Sequence, residues 1–218
     1  MIIHVIRKPR QLFDRRGRRV SHARCQAVHE SGHAIVALEL RIRVLNASIV
    51  DVSDDGAGGS CGIVVADWFA PYVLHRRPPR VQRDPRRREL LGRYIAQGVA
   101  GYVAERILVS RSPHNFWHDE DVDKNADIGS DAAQACVCAR LLGVRRDHIR
   151  PFVASFEPQA REILERRWHE VEALADELEK RWREVKAITR EMKVRFKRRG
   201  IDGAVDGGEV RRLVASLA

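Results

Sequence analysis

His29, Glu30, Ser31, Gly32 and His33 form an H-E-x-x-H string. With nine histidines and fifteen glutamates available, chance would produce such a string in roughly 2 to 3% of shuffled chains, so its surroundings must decide its meaning. On a helix, residues four apart share one face, and both imidazoles can then reach a single Zn²⁺ at about 2.0 to 2.1 Å. Glu30 would stand beside the open coordination position, placed to take a proton from zinc-bound water as it attacks a carbonyl. The metal would bring that water's pKa toward ~7 and help stabilise the tetrahedral oxyanion. The bland alternative is a pair of histidines resting on a half-buried helix face. Gly32 argues for close packing at that point, because a mid-helix glycine costs about 1 kcal/mol relative to alanine.

A catalytic zinc takes three protein ligands and a water, so a third ligand should lie downstream. The residues after His33 read Ala-Ile-Val-Ala-Leu-Glu, which excludes the short x-x-G-x-x-H spacing of the metzincins. Glu105, His114, His118, Asp127 and Asp131 remain as candidates.

The elements that must position these groups follow from pattern. A helix is predicted from about Ala23 to Leu40, with Ser21 as its N-cap. Two β-rich stretches, Val44 to Val52 and Cys61 to Ala66, flank the turn-rich segment from Ser53 to Ser60 and predict a hairpin with a flexible loop. A second helix over roughly Arg87 to Leu108 carries Ala96, Gly98, Ala100, Gly101 and Ala104, small residues that let another helix approach. A third helix runs from Ser130-Asp131 to about Leu142. The longest element, about Gln159 to Arg198, repeats Leu164, Trp168, Val171, Ala175, Leu178, Trp182, Val185, Thr189, Met192 and Phe196 as a heptad seam. That seam needs a cover, either an antiparallel helix of the same chain or a second copy in a homo-oligomer.

The 218 residues carry 40 basic and 30 acidic side chains, a net charge of +10. The surplus clusters from Arg7 to Arg19, from Arg76 to Arg93 and from Arg190 to Arg199. Aromatic residues are only 6% and do not interleave with these runs, so no platform for stacking bases is visible, and solvated arginine is favoured over nucleic-acid binding. No apolar run approaches the roughly 18 residues of a bilayer span, and Cys25, Cys61, Cys136 and Cys138 form no C-x-x-C pair. The expectation is a soluble cytoplasmic protein with reduced thiols and no membrane insertion.

Ala27 to Leu38, reading AVHESGHAIVAL, resembles the zinc-site helix of the FtsH-type AAA+ proteases, which usually reads Y-H-E-A-G-H-A-x-V-A. Gly98 to Leu108 (GVAGYVAERIL) is similar to that family's G-G-R-A-A-E-E-L helix, and Gly129 to Arg140 to its G-A-x-N-D-L-x-x-A-T-x-x-A-R segment. The resemblance covers roughly residues 21 to 180 and 200 to 215. It implies that Asp131 is the third zinc ligand, that Glu105 supports the site from the helix packed under it, and that Ile49 to Ala66 is the substrate-binding strand pair. It departs from the family in having no G-x-x-x-x-G-K-[ST] and no membrane anchor. Ser130 stands where the family has Asn, and the 97 residues between His33 and Asp131 exceed the usual gap.

Together these readings predict a mainly α fold with a small β-hairpin, a zincin-like helical peptidase domain ending in a long heptad helix. The expected layout is a basic arm over 1–20, a zinc-peptidase core over 21–150 and a C-terminal helical region over 151–218. The expected activity is ATP-independent zinc metalloendopeptidase action on peptides or unfolded proteins, with His29, His33 and Asp131 holding Zn²⁺ and Glu30 as general base. An ATPase acting in trans would widen the substrate range. Two other classes compete: a zinc-stabilised adaptor that binds partners through the heptad helix, and a nucleic-acid-associated regulatory protein.

Overall fold

The computed structural model describes residues 12–14, 17–53, 56–63, 84–109 and 130–199. His114, His118, Asp127 and residues 76–83 of the Arg76 to Arg93 stretch lie outside them, as do the Arg7 to Arg10 end of the arm and the C-terminal residues from Gly200. The chain divides into two units, 1–179 and 180–218. The described part is mainly α-helical with a small antiparallel hairpin.

Helix α1 spans His22–Glu39. Ser21 caps it, its Oγ accepting the Arg24 N–H at 3.0 Å. The helix ends on Arg41, whose φ of 56° is left-handed, so that the Ile42 N–H reaches back to the Ala37 carbonyl at 2.8 Å. This is the usual closing geometry of a helix, with arginine where glycine is favoured.

Within the expected basic arm, residues 12–14 and 17–20 carry a short paired element. Strands β1 (Leu12–Phe13) and β2 (Arg19–Val20) pair antiparallel, and Asp14 closes the turn between them by accepting the Arg18 N–H and Nε, each at 2.8 Å. Val20 joins Cys25 and Val109 in a small apolar cluster flanked by Leu12 and Leu108. Two-residue strands are too short to leave a periodic signal.

Strands β3 (Val44–Ser53) and β4 (Gly56–Ile63) form the hairpin, with Ser53 paired to Gly56 and Val44 to Ile63. The predicted loop from Ser53 to Ser60 is therefore mostly strand. Its glycines suggested a turn, yet a strand glycine also lets a neighbouring backbone come close. That is the situation of β4, which runs beside α1.

Helix α2 (Pro85–Leu108) begins two residues before the predicted Arg87, because Asp84 caps it through the Arg86 N–H at 2.9 Å and Pro85 occupies the first turn. It packs along α1, α3 and α5. Helix α3 (Asp131–Leu141) is capped by Ser130, whose Oγ accepts the Ala133 N–H at 3.2 Å, and it closes at Gly143 with φ 83°. A 3₁₀ turn, Arg146–His148, leads into α4 (Ile149–Ala154), followed by α5 (Glu157–Arg166) and α6 (Trp168–Arg199).

The predicted single helix from Gln159 to Arg198 is thus two, parted at Arg167, where ψ opens to 25°. The Arg167 guanidinium binds Glu39 at 3.1 Å and also Glu170, while Arg166 reaches Glu39 at 2.6 Å. No glycine or proline marks this break, so the seam read continuously through it. Within the first unit, the seam residues Val171, Ala175 and Leu178 are buried. In the second unit Val185 is 61% exposed, and Lys186 lies 4.6 Å over the Trp182 ring.

The core of the first unit is lined by Val28, Val36, Leu91, Ile95, Leu141 and Leu164. Arg18, Arg87 and Arg93 are each paired with an acid of their own run, Asp14, Asp84 and Glu89. No described helix is long and apolar enough to cross a membrane.

Candidate metal centre

The site is built where α1 crosses α2. A methyl group at Gly32 would lie 2.6 Å from the Ala104 Cβ and 3.0 Å from the Ala100 carbonyl oxygen, so α1 can approach α2 this closely only with glycine there. One turn along α2, a Cβ at Gly101 would come within 2.4 Å of His33 Nε2 and 2.6 Å of His29 Nε2. Both rings therefore lie directly against the bare backbone of α2.

Each ring has its outer nitrogen engaged. His33 Nδ1 donates to the Gln97 carbonyl of α2 at 2.7 Å, and His29 Nδ1 to Glu105 Oε1, also at 2.7 Å. A neutral ring that donates from Nδ1 carries its lone pair on Nε2, so both Nε2 atoms present acceptors. They face each other at 3.0 Å. Asp131 Oδ2 lies 3.0 Å from one and 3.1 Å from the other. Three electron-rich atoms at mutual spacings of 3.0 to 3.1 Å call for protons or a cation between them.

The donor set fits a metal. Bonds of about 2.0 to 2.1 Å in tetrahedral geometry separate ligand atoms by roughly 3.3 Å, within a few tenths of an ångström of the observed spacings. Two imidazole nitrogens and one carboxylate oxygen also match the three-ligand sets that leave a fourth position open. His29, His33 and Asp131 are thus a group close enough to hold a metal ion.

Electrostatics concentrate charge here. Burial opposes protonation of His29, but hydrogen bonds to Asp131 and Glu105 outweigh it, and in the absence of a cation the ring's pKa rises to about 10. His33 moves up too, burial again being outweighed by Asp131. For Asp131, burial works against the charged form, yet the two histidines hold its carboxyl well below the ordinary range. Asp131 is also the first residue of α3, where the helix N-terminus favours an anion. Burial pushes Glu30 up, while the histidines and Gln26 pull it back.

The side chains of His29 and His33 are 14% and 3% exposed, whereas that of Asp131 is 35% exposed, so the group opens toward solvent on the α3 side. Glu105 is fully buried. Among the candidates for third ligand, the structure brings Asp131 to both Nε2 atoms and Glu105 to the opposite edge of His29; Asp127, His114 and His118 fall outside the described residues. Sequence reasoning passed over Gln26, whose Nε2 donates to Glu30 Oε1 at 2.7 Å. Its signal was a polar residue four before Glu30 on an otherwise buried helix face. Compared with known proteins, the chain matches no family model, no curated protein and no solved structure.

Proposed function

We propose that this protein is a zinc metallopeptidase that hydrolyses peptide bonds in unfolded proteins or short peptides. The observation that carries the reading is the convergence of both H-E-x-x-H nitrogens and a carboxylate oxygen at 3.0 to 3.1 Å, with the outer nitrogen of each ring already engaged. The resemblance to FtsH-type proteases, and with it the zincin-like fold, belongs to the same proposal. It is supported by Glu105 lying against His29 from α2, and by Ser130 capping α3 where the family carries Asn, since both residue types serve as N-caps.

In this reading His29, His33 and Asp131 hold the zinc, which when bound supplies Lewis acidity that acidifies water and polarises a carbonyl. Glu30 takes a proton from the attacking water and delivers it to the amide nitrogen as the C–N bond breaks, leaving a carboxylic acid and an amine, between which the remaining proton passes to give carboxylate and ammonium. Glu105 and the Gln97 carbonyl keep each ring in the tautomer that offers Nε2. The bare backbone at Gly101 leaves room for the rings, and the exposed flank at Asp131 admits substrate. An extended peptide would add to an edge of the β3–β4 hairpin through main-chain hydrogen bonds. Folded substrates would need an ATPase in trans.

The reading is tested by metal analysis and peptide cleavage. Native protein should carry one zinc per chain and cleave unstructured peptides. Glu30→Gln should keep the zinc and lower kcat by about 10² to 10⁴, the usual contribution of a general base. Zinc-free native protein, or cleavage that survives Glu30→Gln, refutes it.

A further inference from the structure

Glu30 is 3% exposed, and Oε1 accepts the Gln26 amide at 2.7 Å. Among the described residues Oε2 accepts no hydrogen bond. Gln26 is itself 8% exposed and one helical turn before Glu30 on α1, so both side chains lie along the same buried face. A buried glutamine sacrifices hydration and side-chain freedom, and an apolar residue would fill the position at lower cost unless the amide had a partner that needs it. Its partner is the one carboxylate that stands next in the chain to His29.

We infer that Gln26 is a positioning residue for Glu30: it ties down Oε1 and leaves Oε2 as the oxygen that exchanges protons with the reacting water. This rests on the metallopeptidase reading above. A carboxylate with a long, rotatable stem can turn either oxygen, or neither, toward a substrate. One fixed donor removes that freedom, and a barrier set by geometry is sensitive to displacements of about 1 Å. Gln26 touches neither substrate nor metal in this scheme. Its effect passes through Glu30 alone.

Two measurements on the full chain test this. In the first, the Gln26 side-chain amide is followed by ¹⁵N NMR. Its protons should exchange slowly in the native protein and lose that protection in Glu30→Ala; an amide indifferent to Glu30→Ala overturns the contact without reference to activity. The second is a double-mutant cycle with the zinc-loaded protein. Gln26→Met keeps the bulk and removes the donor. It should lower kcat by about ten- to hundredfold, the value of a hydrogen bond to a charged group, while KM and zinc stoichiometry stay within twofold. In a Glu30→Gln background the same change should cost nothing further.

A wild-type kcat in Gln26→Met, a loss that follows zinc content, or an equal loss in both backgrounds would each overturn the assignment. Absence of cleavage by the wild-type protein would instead sink the peptidase reading, and Gln26's place in catalysis with it. The two failures are therefore distinguishable.

Discussion

Replacing Gly101 by alanine adds one methyl group at the most crowded point of the site. The new Cβ would stand 2.4 Å from His33 Nε2 and 2.6 Å from both Nε2 and Cδ2 of His29. Ordinary non-bonded contact needs about 3.5 Å, so the rings must retreat by roughly 1 Å. Metal bonds tolerate about 0.2 Å, so the retreat removes at least one nitrogen from the ligand set. Zinc affinity should fall by more than about a hundredfold, the upper range for losing only an outer partner of a ligand. The fold should survive. Overpacking costs about 1 to 3 kcal/mol, alanine returns about 1 kcal/mol of helix propensity, and the net lowers Tm by between zero and about 8 °C. Gly98→Ala is the control on the same helix, because its Cβ would meet the Asp131 carbonyl oxygen at 3.5 Å and the Ala135 Cβ at 3.8 Å, both ordinary contacts. Calorimetric zinc titration of the two variants, with circular dichroism to report folding, reads the difference. A Gly101→Ala protein that binds one zinc as tightly as Gly98→Ala would refute the reasoning.

Asp131→Ala should abolish stoichiometric zinc, whereas Glu105→Gln, which leaves all three donors in place, should weaken binding by about ten- to hundredfold; equal losses would contradict the roles drawn from their positions. Burial pushes the Cys25 thiol up to about 12, so at pH 8 only about one thiol in 10⁴ is ionised. Because the unfolded thiol ionises first, near 8.5 to 9, stability should decline as pH rises from there toward 12. In native protein at pH 8, alkylation mapped by mass spectrometry should spare Cys25, Cys136 and Cys138, all buried, and label them on unfolding. Arg41→Gly relieves a left-handed arginine at the end of α1 and should raise Tm by about 2 to 4 °C for each kcal/mol recovered, of which about 1 is available. A lowered Tm would show that the Arg41 side chain contributes more than its backbone costs.

Local rules made much of this fold legible. Ser21, Asp84 and Ser130 cap three helices, and the first was read directly from an N-cap followed by apolar periodicity. The small residues of α2 announced a close neighbour, and Gly32 against Ala100 and Ala104 is that approach. His29 and His33 share a face because helices repeat every 3.6 residues, which needs no tertiary knowledge. Other features had no local signal. Arg167, where the helix breaks, binds Glu39, 128 residues earlier, and the strand character of Gly56 to Ser60 depends on pairing with Ser48 to Ser53. The encounter of Asp131 with two histidines about a hundred residues away could be proposed only by resemblance, because spacing alone left five candidates. Gln26 was missed because an i to i+4 bond between buried polar groups looks, in sequence, like two ordinary helix residues.

The three donors differ in what they require of the chain. His29 and His33 meet within a single helix turn, so a few residues of α1 suffice to bring them together. Asp131 is 98 residues beyond His33 and reaches them only when α3 is docked. A cation held by all three would be a removable cross-link closing a loop of that length, and a permanent link across about 100 residues restricts an unfolded chain by ~4.7 kcal/mol in the loop-entropy treatment. Chelation would then be felt least in the helix that bears the histidine pair and most at the start of α3, where backbone amides should begin to exchange with solvent.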